Sequence, residues 1–416
     1  MLRILTALAL LPVSAAAAPL DWLPPDLPPA PADGPALCPG AFLTPAQGRA
    51  VLDAALKQFP DRASWEACAS HLRGSIQSGL NLSPWPRRTP LDPVIRDRRV
   101  HDGYSVENVA FESVPGCFVT GNLYRPLRAE GACAVVLSTH GHTPVPATDG
   151  EYGRHGRFTD AMQLRCAALA RMGAIVLSID MFAHGDGIAI YGAAAHRQPI
   201  ALTIQTWNAM RALDFLLSLE GADPRRVAVS GESGGGTQSF LLAALDARVT
   251  LSVPVVMVSA HFFGGCPCES SLPIHRSPGH FASNAMIAAL AAPRPQLVVS
   301  DGKDWTLNVP EVEYPFLRRI YGYFGVERQV ANVHLADEGH DYGPSKRAAM
   351  YRFVASRFGL DLAAVLTPAG DIDESRGRVE SPATMRFFNE ANPVPDRALR
   401  AGAAVDEAVR RQQRPE

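Results

Sequence analysis

Five residues constrain this chain more than any others: Gly231-Glu232-Ser233-Gly234-Gly235, lying between the apolar run Val227–Ser230 and a helix-forming stretch, Gly234–Leu245. A G-x-S-x-G pentapeptide is common by chance. Between a strand and a helix it is far more specific, because its glycines allow a sharp turn that side chains would block. Such a turn lifts the serine hydroxyl to the C-terminal edge of a sheet and sets it at a helix N-terminus, where negative charge is favoured. The competing reading is a serine that merely caps a helix in a Gly-rich turn. A strand that feeds a helix in this way demands an α/β architecture.

The surrounding pattern agrees. Tyr104–Ser113 and Cys117–Arg125 flank Val114-Pro115-Gly116 and predict a hairpin. Strands are then predicted at Ala134–Ser138, Ala174–Ile179, Arg226–Ser230, Leu251–Val258, Gln296–Ser300 and Gln329–Leu335. Helices are predicted at Phe158–Met172, Thr203–Leu217, Gly234–Leu245, Val312–Tyr323 and Lys346–Phe358. Repeated strand–helix units after a hairpin imply a mixed, mainly parallel sheet with helices on both faces. Upstream, residues 24–40 hold seven prolines in seventeen positions, an extended linker or wrap. Two helices should follow, capped by Thr44 and Asp61, with Trp65, Cys68, Leu72 and Ile76 on one face of the second. The expected organisation is a helical N-terminal extension over 19–100, a catalytic unit over 101–360, and a polar tail over 361–416 with a helix at Asp396–Arg411.

Serine is a weak nucleophile and needs a base within hydrogen-bonding reach. Of twelve histidines, His334 falls within a strand, and His71 and His101 lie in the N-terminal part. His340 instead lies in the loop Asp337–Gly343, between the last strand and the last long helix, and is the expected base. Its orienting carboxylate should come from Ser300-Asp301-Gly302-Lys303-Asp304-Trp305, with Asp304 preferred over Asp301 and Glu269 a distant third. The oxyanion requires two backbone N–H donors. Gly234 follows the nucleophile, and His142 in the loop His140-Gly141-His142-Thr143 is the second candidate. A metal at His140-x-His142 with His155 or His184 finds no carboxylate or thiolate at a diagnostic spacing, and Cys266-Pro267-Cys268 is not a C-x-x-C pair. No metal is therefore expected. In Phe262–Glu269, a loop suited to a pocket wall, Glu269 could meet a polar alcohol moiety or be solvated. Trp305 could stack on a sugar or be a buried aromatic.

The chain resembles the α/β-hydrolase superfamily, and within it the acetyl xylan esterase-like and dienelactone hydrolase-like groups. The likeness covers about residues 100–360. It rests on the elbow at 231–235, His140-Gly141, Asp180-Met181-Phe182-Ala183-His184-Gly185, the Asp304 loop, Gly339-His340 and the order Ser…Asp…His. It implies an eight-stranded sheet and cofactor-free cleavage of carboxylic esters, commonly acetyl groups on sugars. Gly234 stands where acetyl xylan esterases often have Gln, and residues 181–185 lack their usual Arg-Gly pair. The rivals are a serine peptidase of the prolyl-oligopeptidase type, a metal-dependent hydrolase and a non-catalytic binding protein of the same fold.

The first eighteen residues predict an export signal. Arg3 supplies charge, Ile4–Val13 the apolar stretch and Ser14–Ala18 a small-residue cleavage region, which points to a periplasmic or secreted protein. An oxidising compartment then bears on the seven cysteines, an odd number, with Cys38 and Cys68 the expected pair. Lys+Arg 39 against Asp+Glu 41 argues against a nucleic-acid partner. Beyond the N-terminus no apolar run predicts a membrane span. The expected partner is a small-molecule or carbohydrate ester, and no assembly state follows from the sequence.

Overall fold

The computed structural model describes residues 20–28, 40–41, 43–129, 131–142, 155–270 and 272–415. The export signal and Cys38 lie outside the described residues. Nine strands form the main sheet: β1 (Val94–Val100), β2 (Tyr104–Val114), β3 (Cys117–Pro126), β4 (Cys133–Thr139), β5 (Ile175–Ile179), β6 (Ala222–Glu232), β7 (Leu251–Val255), β8 (Gln296–Asp301) and β9 (Val330–Leu335). Their spatial order is β9-β8-β7-β6-β4-β5-β3-β2-β1. β1, β2 and β3 form an antiparallel meander, β3 runs antiparallel to β5, and every other neighbouring pair is parallel.

Every residue of β4, β5 and β7 is buried, as expected of strands covered on both faces. The helices doing the covering are α1 (Pro45–Gln58), α2 (Arg62–Gly79), α3 (Asp160–Arg171), α4 (Ala201–Ser218), α5 (Gly234–Leu245), α6 (Glu313–Gly322), α7 (Pro344–Phe358) and α8 (Gly402–Gln413). Side chains of β4 alternate between two cores. Val135 and Leu137 join α1, α2, α4, α5, α6 and α8, while Ala134 and Val136 face α3 and α7. Among the described residues no helix is long and apolar enough to cross a membrane.

The sheet has nine strands where eight were expected, and it begins before residue 101. The additional strand is β1, Val-Ile-Arg-Asp-Arg-Arg-Val, whose run of charges hides it from pattern reading. It lies at the sheet's edge, where charged side chains are a common protection against edge pairing. The N-terminal helices are likewise part of the main core. Thr44 and Asp61 each form a capping box, Trp65 meets Phe316 edge-on at 6.3 Å, and Arg73 donates to the carbonyls of Ala244 and Leu290. The C-terminal segment is a strap more than a tail. Glu380 binds Arg99 and His101, Phe387 and Phe388 pack with Ala110 and Ile190, and Val405 and Val409 enter the main core.

Candidate active site

The chain leaves β4 for β5 on one side and later returns to β6 on the other, which opens a crevice at the strands' C-terminal ends. Thr139 of β4 is in register with Gly231 of β6, so the 140–142 loop and the Ser233 turn meet. Ser233 is buried and held at φ 54°, ψ −122°, a strained conformation for a residue with a side chain. The glycines around it are obligatory by contact. A Cβ on Gly231 would lie 2.3 Å from Thr139 Oγ1, and one on Gly235 2.8 Å from the Thr139 carbonyl carbon. Across the crevice, a Cβ on Gly141 would lie 2.7 Å from that of Ser233.

The loop after β8 brings Asp304 to His340, with His340 Nδ1 2.7 Å from Asp304 Oδ2. Asp304 Oδ1 accepts from the Thr306 amide and hydroxyl, both at 2.5 Å. Burial alone would raise this carboxyl, but the bonds from His340 and Thr306 outweigh it and hold Asp304 below the usual range. Asp301 faces elsewhere. It accepts from the Lys303 amide, pairs with buried Lys346 at 3.3 Å, and is pushed up to about 6 by burial and by the charge of Asp304. Trp305 stacks on Phe262 at 3.9 Å and tilts against the His340 ring at 4.3 Å, so its ring contacts are with the protein.

The 140–142 loop is fixed by residues that pattern reading passed over. Glu232 accepts from the Gly141 amide (3.2 Å) and from Arg165 (3.0 Å), and Arg165 also donates to the Thr139 carbonyl. Arg165 is buried beneath the ring of Tyr342. A charged residue on a helix reads as solvated, and only the Glu of the elbow hinted that it needed a partner. His140 has Nδ1 on the Gly141 carbonyl and Nε2 accepting from the Met181 amide; burial pushes it down to about 4, so it is a neutral brace.

Glu269 is also placed at the serine. Its Oε1 lies 3.3 Å from Ser233 Oγ and 2.8 Å from His142 Nδ1, and its Oε2 accepts from the Gly265 amide. Among the described residues the hydrogen bond of Ser233 Oγ is to Glu269, with none to His340; catalytic bonds in ligand-free sites are often loose and tighten on substrate binding. His142 Nε2 faces Cys268 Sγ at 3.2 Å. Burial disfavours charge on His142, but its bonds to Cys266 and Glu269 prevail and lift it to about 10. One premise of the sequence reading changes here. A thiol and a carboxylate do stand beside His142, supplied from positions 126 and 127 residues further along the chain.

A serine at a strand–elbow–helix turn of this sheet, a carboxylate after β8 and a histidine after β9 make the α/β-hydrolase architecture. The acetyl xylan esterase (AXE1) family matches residues 88–263. The methylesterase BT1017 is 38% identical, with 89% of this chain and 81% of that one covered and a TM-score of 0.79. A glucuronoyl esterase from Solibacter usitatus shares the fold at 17% identity, with 72% and 94% covered and a TM-score of 0.51. The hydrolase YtaP of Bacillus subtilis (strain 168) is 28% identical over 153 residues, 34% of this chain, and the match spans about half (48%) of that relative's length. The chain belongs to the acetyl xylan esterase-like serine esterases, carboxylic ester hydrolases of the α/β-hydrolase fold.

Proposed function

We propose that this protein is an exported esterase acting on a carbohydrate ester through a Ser233–His340–Asp304 triad. His340 Nδ1 is tied to Asp304, which leaves Nε2 to take the proton of Ser233 as its oxygen attacks the ester carbonyl. The amides of Gly234 and His142 hold the oxyanion. His340 returns the proton to the departing alcohol, and water admitted by the same base releases the acyl group from Ser233. Glu269 lines the pocket beside the nucleophile and can accept from a substrate hydroxyl. The single observation that carries this reading is the 2.7 Å Asp304–His340 contact at the same sheet edge as a strained serine elbow.

Acetyl esters of sugars are the substrates suggested by the family match over 88–263. A second reading, the methyl ester of a sugar carboxylate, is favoured by the 38% identity to a protein named as a methylesterase. Acetylated and methyl-esterified polysaccharides separate the two: the first should release acetate, the second methanol. Ser233→Ala should lower turnover of p-nitrophenyl acetate by about 10³-fold or more. Wild-type turnover in that variant would sink the reading.

A further inference from the structure

Three loops that share no strand or helix converge beside Ser233 and carry sulfur and imidazole donors. His142 follows β4, His184 and His196 lie between β5 and α4, and Cys266 and Cys268 flank Pro267 between β7 and β8. The ring centroids lie 5.6 Å apart for His142–His184, 5.3 Å for His142–His196 and 4.8 Å for His184–His196. Donor atoms of His142, His196 and Cys266 all fall within 4.8 Å of one another, and Cys268 Sγ is 3.2 Å from His142 Nε2.

The ring nitrogens are sorted in the manner of ligands. His142 Nδ1 is on Glu269 Oε1 at 2.8 Å, His184 Nδ1 on the Phe182 carbonyl at 3.2 Å and His196 Nδ1 on the Ala193 carbonyl at 2.5 Å. Tying Nδ1 to an oxygen orients an imidazole and leaves Nε2 as its donor, the usual support for a metal-bound histidine. Neighbouring His140 makes the contrast: both of its nitrogens are committed, so it has none to offer. Charge balance also fits. Two thiolates and two neutral imidazoles neutralise a divalent cation.

We propose that His142, His196, Cys266 and Cys268 form a four-ligand site for a borderline-soft divalent cation of the Zn²⁺ class, with Glu269 orienting His142. Sulfur and imidazole select such an ion over Mg²⁺ or Ca²⁺. Tetrahedral zinc sets ligand atoms roughly 3.3–3.8 Å apart; His142, His196 and Cys266 approach that spacing within 4.8 Å, and Cys268 joins through its 3.2 Å contact with His142 Nε2. With all four positions filled by protein, the ion ties the three loops together and presents no open position for chemistry. Its consequence for catalysis, that ligation of the His142 side chain fixes the His142 amide, rests on the proposed function. The binding itself does not.

The test uses the full chain, reduced with a phosphine and freed of metal. Zn²⁺ competed against a chromophoric chelator should bind at one equivalent, equally in wild type and in Ser233→Ala. Co²⁺ should give the strong visible bands of a tetrahedral site and a near-ultraviolet thiolate charge-transfer band. That band should vanish in Cys266→Ser/Cys268→Ser, and His196→Ala should weaken Zn²⁺ by about 10–100-fold or more. His196→Cys should restore binding with a stronger thiolate band. Absence of stoichiometric binding by the reduced wild type, a cobalt spectrum without a thiolate band, or unchanged affinity in a folded His196→Ala would each overturn the site. The wild-type measurements decide it even where a variant fails to fold. Loss of esterase activity in Ser233→Ala with Zn²⁺ retained keeps this outcome separate from that of the proposed function.

Discussion

Two histidine–carboxylate pairs stand at the C-terminal edge of the sheet, and by their own geometry they are nearly twins. His340 Nδ1 meets Asp304 at 2.7 Å and His142 Nδ1 meets Glu269 at 2.8 Å. The imidazoles are 31% and 33% exposed, and the carboxylates 2% and 6%. What separates them is everything outside the pair. Asp304 is held by Thr306 within its own loop, and its histidine comes from the adjacent strand's end. Glu269 touches Ser233 directly, and its histidine turns Nε2 toward a thiol. A buried carboxylate on an imidazole is therefore no signature of a catalytic base. The proposed roles rest instead on the position of each loop on the sheet and on the thiol that faces His142 Nε2.

The comparison breaks most sharply if the two carboxylates prove interchangeable. Asp304→Asn should lower kcat on p-nitrophenyl acetate by about 10³–10⁴-fold with KM little changed, because the amide stabilises the wrong tautomer of His340. Glu269→Gln should cost only about tenfold, the loss of a single hydrogen bond. Equal losses would abolish the distinction.

Next in size is a change in what anchors the His142 side. Arg157 is fully buried and binds Asp180, Asp186, Asn122 and the Met385 carbonyl, pinning the loop that carries His184 to β3 and to the C-terminal strap. Arg157→Met takes the cation from buried Asp180 and leaves Asp186 with Arg386 at 3.3 Å, and should destabilise the fold by about 3–5 kcal/mol in chemical denaturation. A loss below 1 kcal/mol would show that the strap and loop hold without it.

The smallest expected effect concerns Glu313, which accepts from the Ala260 amide at 2.7 Å beneath the loop leading to Glu269. Burial pushes its carboxyl from 4.5 up to about 7. Below pH 4.5 it is protonated in both folded and unfolded chains. As pH rises toward 7 the unfolded chain ionises first, so stability falls by about 1–3 kcal/mol and the loss is complete above 7. Glu313→Gln should remove that slope and be the more stable protein at pH 8. Parallel stability–pH curves for the two proteins would refute the assignment.

The difference between the pairs also explains what could be read from the chain. Ser233, Asp304 and His340 each sit in a short Gly-containing loop after a strand of the sheet, in the order expected of this fold, so local pattern and sheet topology suffice to bring them to the same sheet edge. Residue Asp301 in the same loop could be separated from Asp304 only by its tertiary partner, Lys346. His142 with Cys268, and Glu232 with Arg165, carry no such local mark; their spacings of 126 and 67 residues reflect how loops fall over the sheet edge. Edge strand β1 was hidden for a third reason, since its charges suit solvent and say nothing about the neighbour on its inner side.

By itself the sequence determined the layered α/β architecture, the nucleophile elbow and the loops that carry its candidate partners, because apolar periodicity and glycine turns act over a few residues. Only the tertiary structure decided that the N-terminal helices and C-terminal strap belong to one packed body, which carboxylate meets His340, and that thiols gather beside His142. Those outcomes depend on close packing between segments from 36 to well over a hundred residues apart, and no local propensity encodes which of two equivalent side chains will find its partner there.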